Sequence, residues 1–451
     1  MASLLLVIPL GLVGYSIWRS TRQPIFLLSI PFFQVMGASI FLDKISIFWI
    51  PGRFERPLII ILWLLVLSLI YYLIFLKMYF HQQRKWEIFP LIFPYEYIIL
   101  LIFGLWCFNF VTNLITYNYD QSVFQEGINL LTMFIGYFLL RGMFLKASSK
   151  DTNDFINFIL FVNMIALGIF IADYSMNLGL LPPSYSETLY QNTLIKRSFL
   201  PTPMFWLGIA YVLSTTKWKL KEIILIVFSL IAILLSGTRS LLLITGILFV
   251  TASILQFTQR NDRKYLGQKL LVISILGVLL LGIVTTYFQA NLNYFSERFS
   301  EITNIASISQ NNTLNVRVFD IQQTFTMIQQ PNLLTGIGFV GQETGYWLGN
   351  LYIWFADSDW SAVLWHYGFL GLGLFCGLYF LSMVESLKYY LISTLEQARY
   401  WLMLLLLVLA IVIYSLFSWT TFNLDQYYVL SFFPFALITV GLLKLKYKSN
   451  E

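Results

Sequence analysis

Residues 97–116 read YIILLIFGLWCFNFVTNLIT, an unbroken run without a charged side chain. At about 1.5 Å of rise per residue, a helix over this run is about 30 Å long, the thickness of a bilayer's hydrocarbon core. Runs of this kind recur from end to end, and the sequence predicts spans at 3–18, 25–42, 57–78, 97–116, 127–145, 155–175, 201–216, 223–236, 240–258, 270–287, 361–382, 401–419 and 427–443. The expected fold is all-α: a polytopic transmembrane helical bundle of about 13 spans (range 11–14), with a large, partly helical outer loop late in the chain. The expected organisation is 1–287 as the first ten spans with short loops, 288–360 as the large outer loop, and 361–451 as the last three spans and a cytoplasmic C-terminus. Composition points the same way. The 451 residues are 58% hydrophobic and 11% charged, against about 25% charged in soluble domains, which excludes a soluble enzyme. The first run, Leu4 to Trp18, lacks a preceding Lys or Arg and a following small-residue cleavage site, so it is expected to stay as the first helix rather than be removed.

Alternating the sides of these spans puts twenty of the 28 Lys and Arg residues on one face, which the positive-inside rule makes cytoplasmic. The outer face carries the remaining eight and 13 of the 22 carboxylates, so it is net acidic. The overall charge of +6 then belongs to cytoplasmic loops that fix topology and meet anionic lipid, and no nucleic-acid partner is implied. Trp18, Trp49, Trp86, Trp218 and Trp419 fall at predicted span ends, as interfacial anchors do. Cys107, Cys376, His81 and His366 are the chain's cysteines and histidines. They supply neither a metal-ligand set nor a disulfide framework, so no metal and no cofactor are expected. The acidic positions nearest a span interior, Asp173 and Glu385, fall at span ends, whereas an ion-coupled transporter is expected to keep an ionisable group near the midplane.

Two long connections, 176–200 and 288–360, both fall outside, and they make the outer face the working surface. Three arginines stand there at the ends of apolar segments: Arg197, Arg239 and Arg317. Arg239 belongs to Ser236-Gly237-Thr238-Arg239-Ser240, a polar break too short to be more than a tight turn, where Ser236 and Ser240 can cap helix ends. Its planar fork of donors suits a phosphate, although an arginine that only snorkels and caps a helix C-terminus has the same surroundings. Arg197 precedes a Pro201-Thr202-Pro203 helix start, and an interfacial anchor beside Lys196 is its alternative role. Arg317 lies in a stretch with Leu314, Val318, Ile321, Phe325 and Ile328 at helical spacing, which predicts an amphipathic helix; pairing with Asp320 is its alternative. Three cations converging on one face of a charge-poor protein suit a diphosphate ligand.

Further on, Pro331 to Gly341 contains a G-x-G-x-x-G string, but an outer loop offers no strand–turn–helix unit for a dinucleotide. A flexible, close-packed turn is expected there. Asp357-Ser358-Asp359-Trp360 stands immediately before the next span, where the two carboxylates can hold sugar hydroxyls or take a proton, or simply cap the helix. His366 falls inside that span and reads as a packed histidine.

These residues resemble the O-antigen polymerase and O-antigen ligase superfamily of bacterial envelope polysaccharide assembly. The likeness rests on the Ser236-Gly237-Thr238-Arg239 turn, the late outer loop with its Arg317 helix, the stretch from Pro331 to Phe339, and Asp357-Ser358 ahead of Gly368, Gly371 and Gly373. It covers roughly residues 190–385. In ligases the polar pair before that span usually begins with histidine, whereas Asp357 stands here, which favours a polymerase. The stretch after Arg197 lacks the glycine and proline-asparagine of many members. The resemblance implies inverting, metal-independent glycosyl transfer on the periplasmic face of a bacterial inner membrane, with an undecaprenyl-diphosphate-linked glycan as donor and as acceptor. Arg239 and Arg317, assisted by Arg197, would hold the diphosphate, and Asp357 or Asp359 would orient or deprotonate the acceptor. A polysaccharide chain-length regulator is a further candidate partner. The runner-up readings are a ligase handing a finished glycan to another acceptor and, in a different class, a flippase for lipid-linked oligosaccharide.

Overall fold

The computed structural model describes residues 11–12, 14–23, 25–26, 29, 94–116, 121–176, 186–190, 193–197, 202–236, 239–258, 267, 269–272, 274, 277–278, 282, 293, 322, 333–338, 347–348, 351–352, 359–417 and 432–448. In chain order the described elements are α1 (Tyr95–Thr116), α2 (Gln121–Lys146), α3 (Ser149–Met176), β1 (Ser186–Tyr190), β2 (Thr193–Arg197), α4 (Thr202–Ser214), α5 (Leu220–Ser236) and α6 (Arg239–Thr258), followed by β3 (Trp347–Leu348), β4 (Leu351–Tyr352), α7 (Asp359–Ile392), α8 (Leu395–Phe417) and α9 (Phe433–Lys448). Each predicted span from 97–116 to 240–258, and from 361–382 to 427–443, has a helix over it. Of the spans at 3–18 and 270–287 only single residues or short pieces are described, and those at 25–42 and 57–78 fall almost wholly outside the described residues.

Among the described residues, five helical stretches are long and apolar enough to cross a membrane: Tyr95–Thr116, Ser149–Met176, Ser240–Thr258, Val363–Ile392 and Gln397–Leu416. Their faces divide as a bilayer requires. On α1, Ile99, Ile102, Trp106, Asn109 and Asn113 turn inward, while Leu101, Phe108, Val111 and Ile115 are more than half exposed along the opposite face. On α6 the exposed stripe is Leu243, Val250, Ile254 and Phe257. Apolar stripes of that size facing water would be strongly unfavourable; facing lipid tails they cost nothing.

Local signals set the helix starts. Ser148 Oγ accepts from the Asp151 N–H at 3.1 Å while Asp151 accepts from the Ser148 N–H at 3.3 Å, a reciprocal cap on α3. Glu222 likewise accepts from the Lys219 N–H at 2.9 Å and opens α5. In the bundle α7 packs against α8 and α1, α8 against α4 and α6, α2 against α9, and α3 against α5. One end of it collects Lys150, Lys217, Lys219, Lys221, Arg399 and Lys444. There Arg399 donates to Thr216, and Lys444 donates to the Ala147 carbonyl at 2.8 Å.

Two features depart from the sequence reading. Arg141, one of the twenty cations that the charge count assigned to the cytoplasmic face, lies inside α2 with its guanidinium buried against Glu96 of α1, with a Nη2 to Oε2 distance of 3.2 Å. The Tyr137 hydroxyl bonds the same carboxylate at 3.0 Å and Thr439 of α9 at 2.9 Å, so the pair ties three helices together. The two long connections also hold antiparallel two-stranded hairpins, β1–β2 and β3–β4, although the expected fold was all-α.

Candidate functional site

The end of the bundle opposite the lysine-rich one carries Arg239 and Asp359, two of the residues that sequence singled out. Tyr390 near the end of α7 donates to the Leu255 carbonyl near the end of α6 at 3.0 Å. The C-terminal parts of these helices therefore meet, and their first residues, Arg239 of α6 and Asp359 of α7, stand at the other end. Arg197 closes β2 and pairs with Ser186 across the hairpin, and β2 packs against α5, the helix that runs into the Arg239 turn. The hairpin bearing Arg197 thus packs on the helix that leads to Arg239. The Ser236 hydroxyl donates to the Ile233 carbonyl at 2.8 Å and satisfies one of the last acceptors of α5. Arg317 and Asp357 lie outside the described residues, as does the amphipathic stretch around Arg317 apart from Gln322.

Between these positions lies a structure that the sequence reading did not contain. The turn 333–338 enters the bundle and splices into α7. In an unbroken helix the Phe369 and Leu370 N–H groups would donate to Trp365 and His366. Here α7 breaks at Gly368 (φ 61°, ψ −160°). Phe369 donates instead to Leu333 at 3.1 Å, and Leu370 to Leu334 at 3.0 Å. The carbonyls so released are taken up in turn: Trp365 accepts from the Ile337 N–H at 2.8 Å, and His366 from the Asn109 side chain at 2.6 Å. Irregular backbone inside a membrane bundle persists only where protein satisfies it, and the turn and the helix satisfy each other.

Side chains complete the splice. Asn109 Nδ2 also donates to the Thr335 carbonyl at 2.8 Å, and Asn113, one turn on, donates to Ile337 at 2.9 Å. His366 Nδ1 lies 2.9 Å from the Gly338 carbonyl. Because a carbonyl only accepts, that nitrogen carries the proton. Buried in this bond, His366 is the packed histidine expected from its position in the span. Gly336 and Gly338 take φ values of 79° and 85°, so the glycines of this turn serve close approach rather than flexibility. Asn109 and Asn113 escaped the sequence reading, although two carboxamides four residues apart within an apolar span are a signal: such groups need partners on the buried face.

Residues 224–376 match the family model described as O-Antigen ligase. No curated protein matches the chain. The matched stretch runs from α5 into α7, includes Arg239, Arg317, Asp357, Asp359, the turn 333–338 and the break at Gly368, and leaves out Arg197 and α1. It supports a place in the O-antigen ligase and polymerase superfamily, with a membrane glycan-transfer function of that type.

Proposed function

We propose that this protein is a membrane glycosyltransferase that joins undecaprenyl-diphosphate-linked oligosaccharide repeat units into a polysaccharide on the outer face of a bacterial inner membrane. The observation that carries this reading is the family match over 224–376, whose limits contain the Ser236 to Arg239 turn and both acidic positions ahead of α7. An acceptor sugar hydroxyl attacks the anomeric carbon of the donor, the bond from that carbon to the diphosphate breaks, and the hydroxyl proton passes to a carboxylate. The leaving diphosphate gathers negative charge, so fixed cations rather than a general acid meet the need. Arg239 and Arg317 hold it, with Arg197 assisting, and Asp357 or Asp359 orients or deprotonates the acceptor. Arg239 is the first residue of α6, where unpaired backbone N–H groups add further donors for an oxyanion. Hydrophobic membrane helices and the match suit lipid-linked substrates, and a chain-length regulator is the protein partner such a polymerase would have.

The name of the matched family favours one second reading, a ligase that hands a finished glycan to a different acceptor. Asp357, where ligases usually have histidine, weighs against it. The arginine roles are tested with Arg239→Ala and Arg317→Ala in reconstituted membranes. Each should slow glycan transfer about a hundredfold, the equivalent of about 3 kcal/mol in the barrier. Full activity in both variants would remove the diphosphate-binding role.

A further inference from the structure

Asp359 heads a piece of α7, 359–367, that the break at Gly368 separates from the rest of the helix. Direct helical bonding across the break is lost at Phe369 and Leu370, so the orientation of this piece depends on what grips its exposed carbonyls. The grips come from the turn 333–338 and from α1. Asn109 holds both parts at once, since its single Nδ2 group donates to Thr335 in the turn and to His366 in the helix. Asn113 fastens the turn a second time, at Ile337. Asn109, Asn113 and His366 are buried and Thr335 and Ile337 are partly buried, which limits competing water and makes each donor costly to lose.

We infer that Asn109 and Asn113 are positioning residues for the glycosyl transfer proposed above: their side-chain donors lock the turn 333–338 against α7 and so fix the half-helix that presents Asp359. This rests on the transferase reading for its functional part, and on the hydrogen bonds alone for the lock itself. Neither asparagine touches substrate in this scheme, and both lie outside the stretch that matches the family.

The test pairs hydrogen–deuterium exchange with steady-state kinetics on the full-length protein in lipid nanodiscs, using Asn109→Ala, Asn113→Ala and the similar-sized Asn109→Leu and Asn113→Leu. Leucine keeps the volume but offers no donor to the carbonyl oxygens. The Ala and Leu variants should therefore behave alike. Exchange at the Ile337, Phe369 and Leu370 amides should rise about tenfold or more, with other helices unchanged. kcat should fall about tenfold while KM for the lipid-linked unit changes less than about threefold, because the loss is one of orientation rather than of binding. Asn113 makes a single bond, so its variants keep the test open if Asn109→Ala does not fold. Unchanged exchange, or Leu variants that keep wild-type exchange, would overturn the lock. Raised exchange with unchanged kcat, alongside an active wild type, would overturn the positioning role alone. A wild type that forms no product would overturn the transferase reading, and the positioning role with it, while the exchange data still decide whether the lock exists.

Discussion

Gly336, Gly338 and Gly368 show how little room a single side chain has in this protein. A Cβ on Gly336 would lie 2.5 Å from the Trp365 carbonyl oxygen, one on Gly338 would lie 2.2 Å from Asn113 Oδ1, and one on Gly368 would lie 2.5 Å from the Gly336 nitrogen and the Leu334 oxygen. All three also have left-handed backbone, which costs a residue with a Cβ about 1–2 kcal/mol before any clash. Alanine at any of them should lower the thermal midpoint of the purified protein by several degrees. Gly104, in the middle of α1 with nothing within 4 Å of a built Cβ, is the matched control. Gly104→Ala should be neutral or stabilising by up to about 1 kcal/mol. A melt in which Gly338→Ala and Gly104→Ala coincide would contradict this account of the turn. At this scale the sequence was partly legible. The close packing of the turn 333–338 could be read from its glycines, and the role of His366 from its place in a span. The partners of that turn could not, because Asn109 and Asn113 lie more than two hundred positions earlier and reach it only through the fold.

The Glu96–Arg141 pair is a property of elements rather than of residues, because it joins α1 to α2 and reaches α9 through Tyr137 and Thr439. Both side chains are at most 3% exposed. Removing one partner leaves a buried charge without compensation, so Arg141→Met should destabilise by about 3–5 kcal/mol. Glu96→Gln combined with Arg141→Met removes both charges and should recover most of that loss. Thermal unfolding of the two single variants and the double variant measures the coupling. Equal midpoints for Arg141→Met and the double variant would show that the pair is not coupled. Sequence counted Arg141 among the cations of the cytoplasmic face because counting cations by side is blind to a carboxylate on another helix. The helices themselves were legible, since runs as apolar as 97–116 and 401–419 leave few alternatives. The β1–β2 hairpin was not: strands of five residues within a polar connection carry too short an alternation to stand out.

For the whole molecule, apolar exposed stripes on α1 and α6 and a lysine-rich end describe a bundle that sits across a bilayer. Under the proposed reading the positive-inside rule sets the orientation: the lysine-rich end would face the cytoplasm, with Arg239 and Asp359 outside. Fixed guanidinium groups in place of a metal ion make a further prediction at this scale, that a chelator leaves the rate of glycan transfer unchanged. A loss of activity on chelation, restored by a divalent ion, would put a metal where the arginines are proposed. The polymerase reading itself meets its most direct test in one reconstitution: the purified protein in liposomes with a lipid-linked repeat unit from its own host, without divalent metal, and the products separated on a gel. The account predicts a ladder spaced by one repeat. A single shifted band that needs an added lipid or protein acceptor would contradict it in favour of a ligase, and labelled units that cross the bilayer without elongation would contradict it in favour of a flippase.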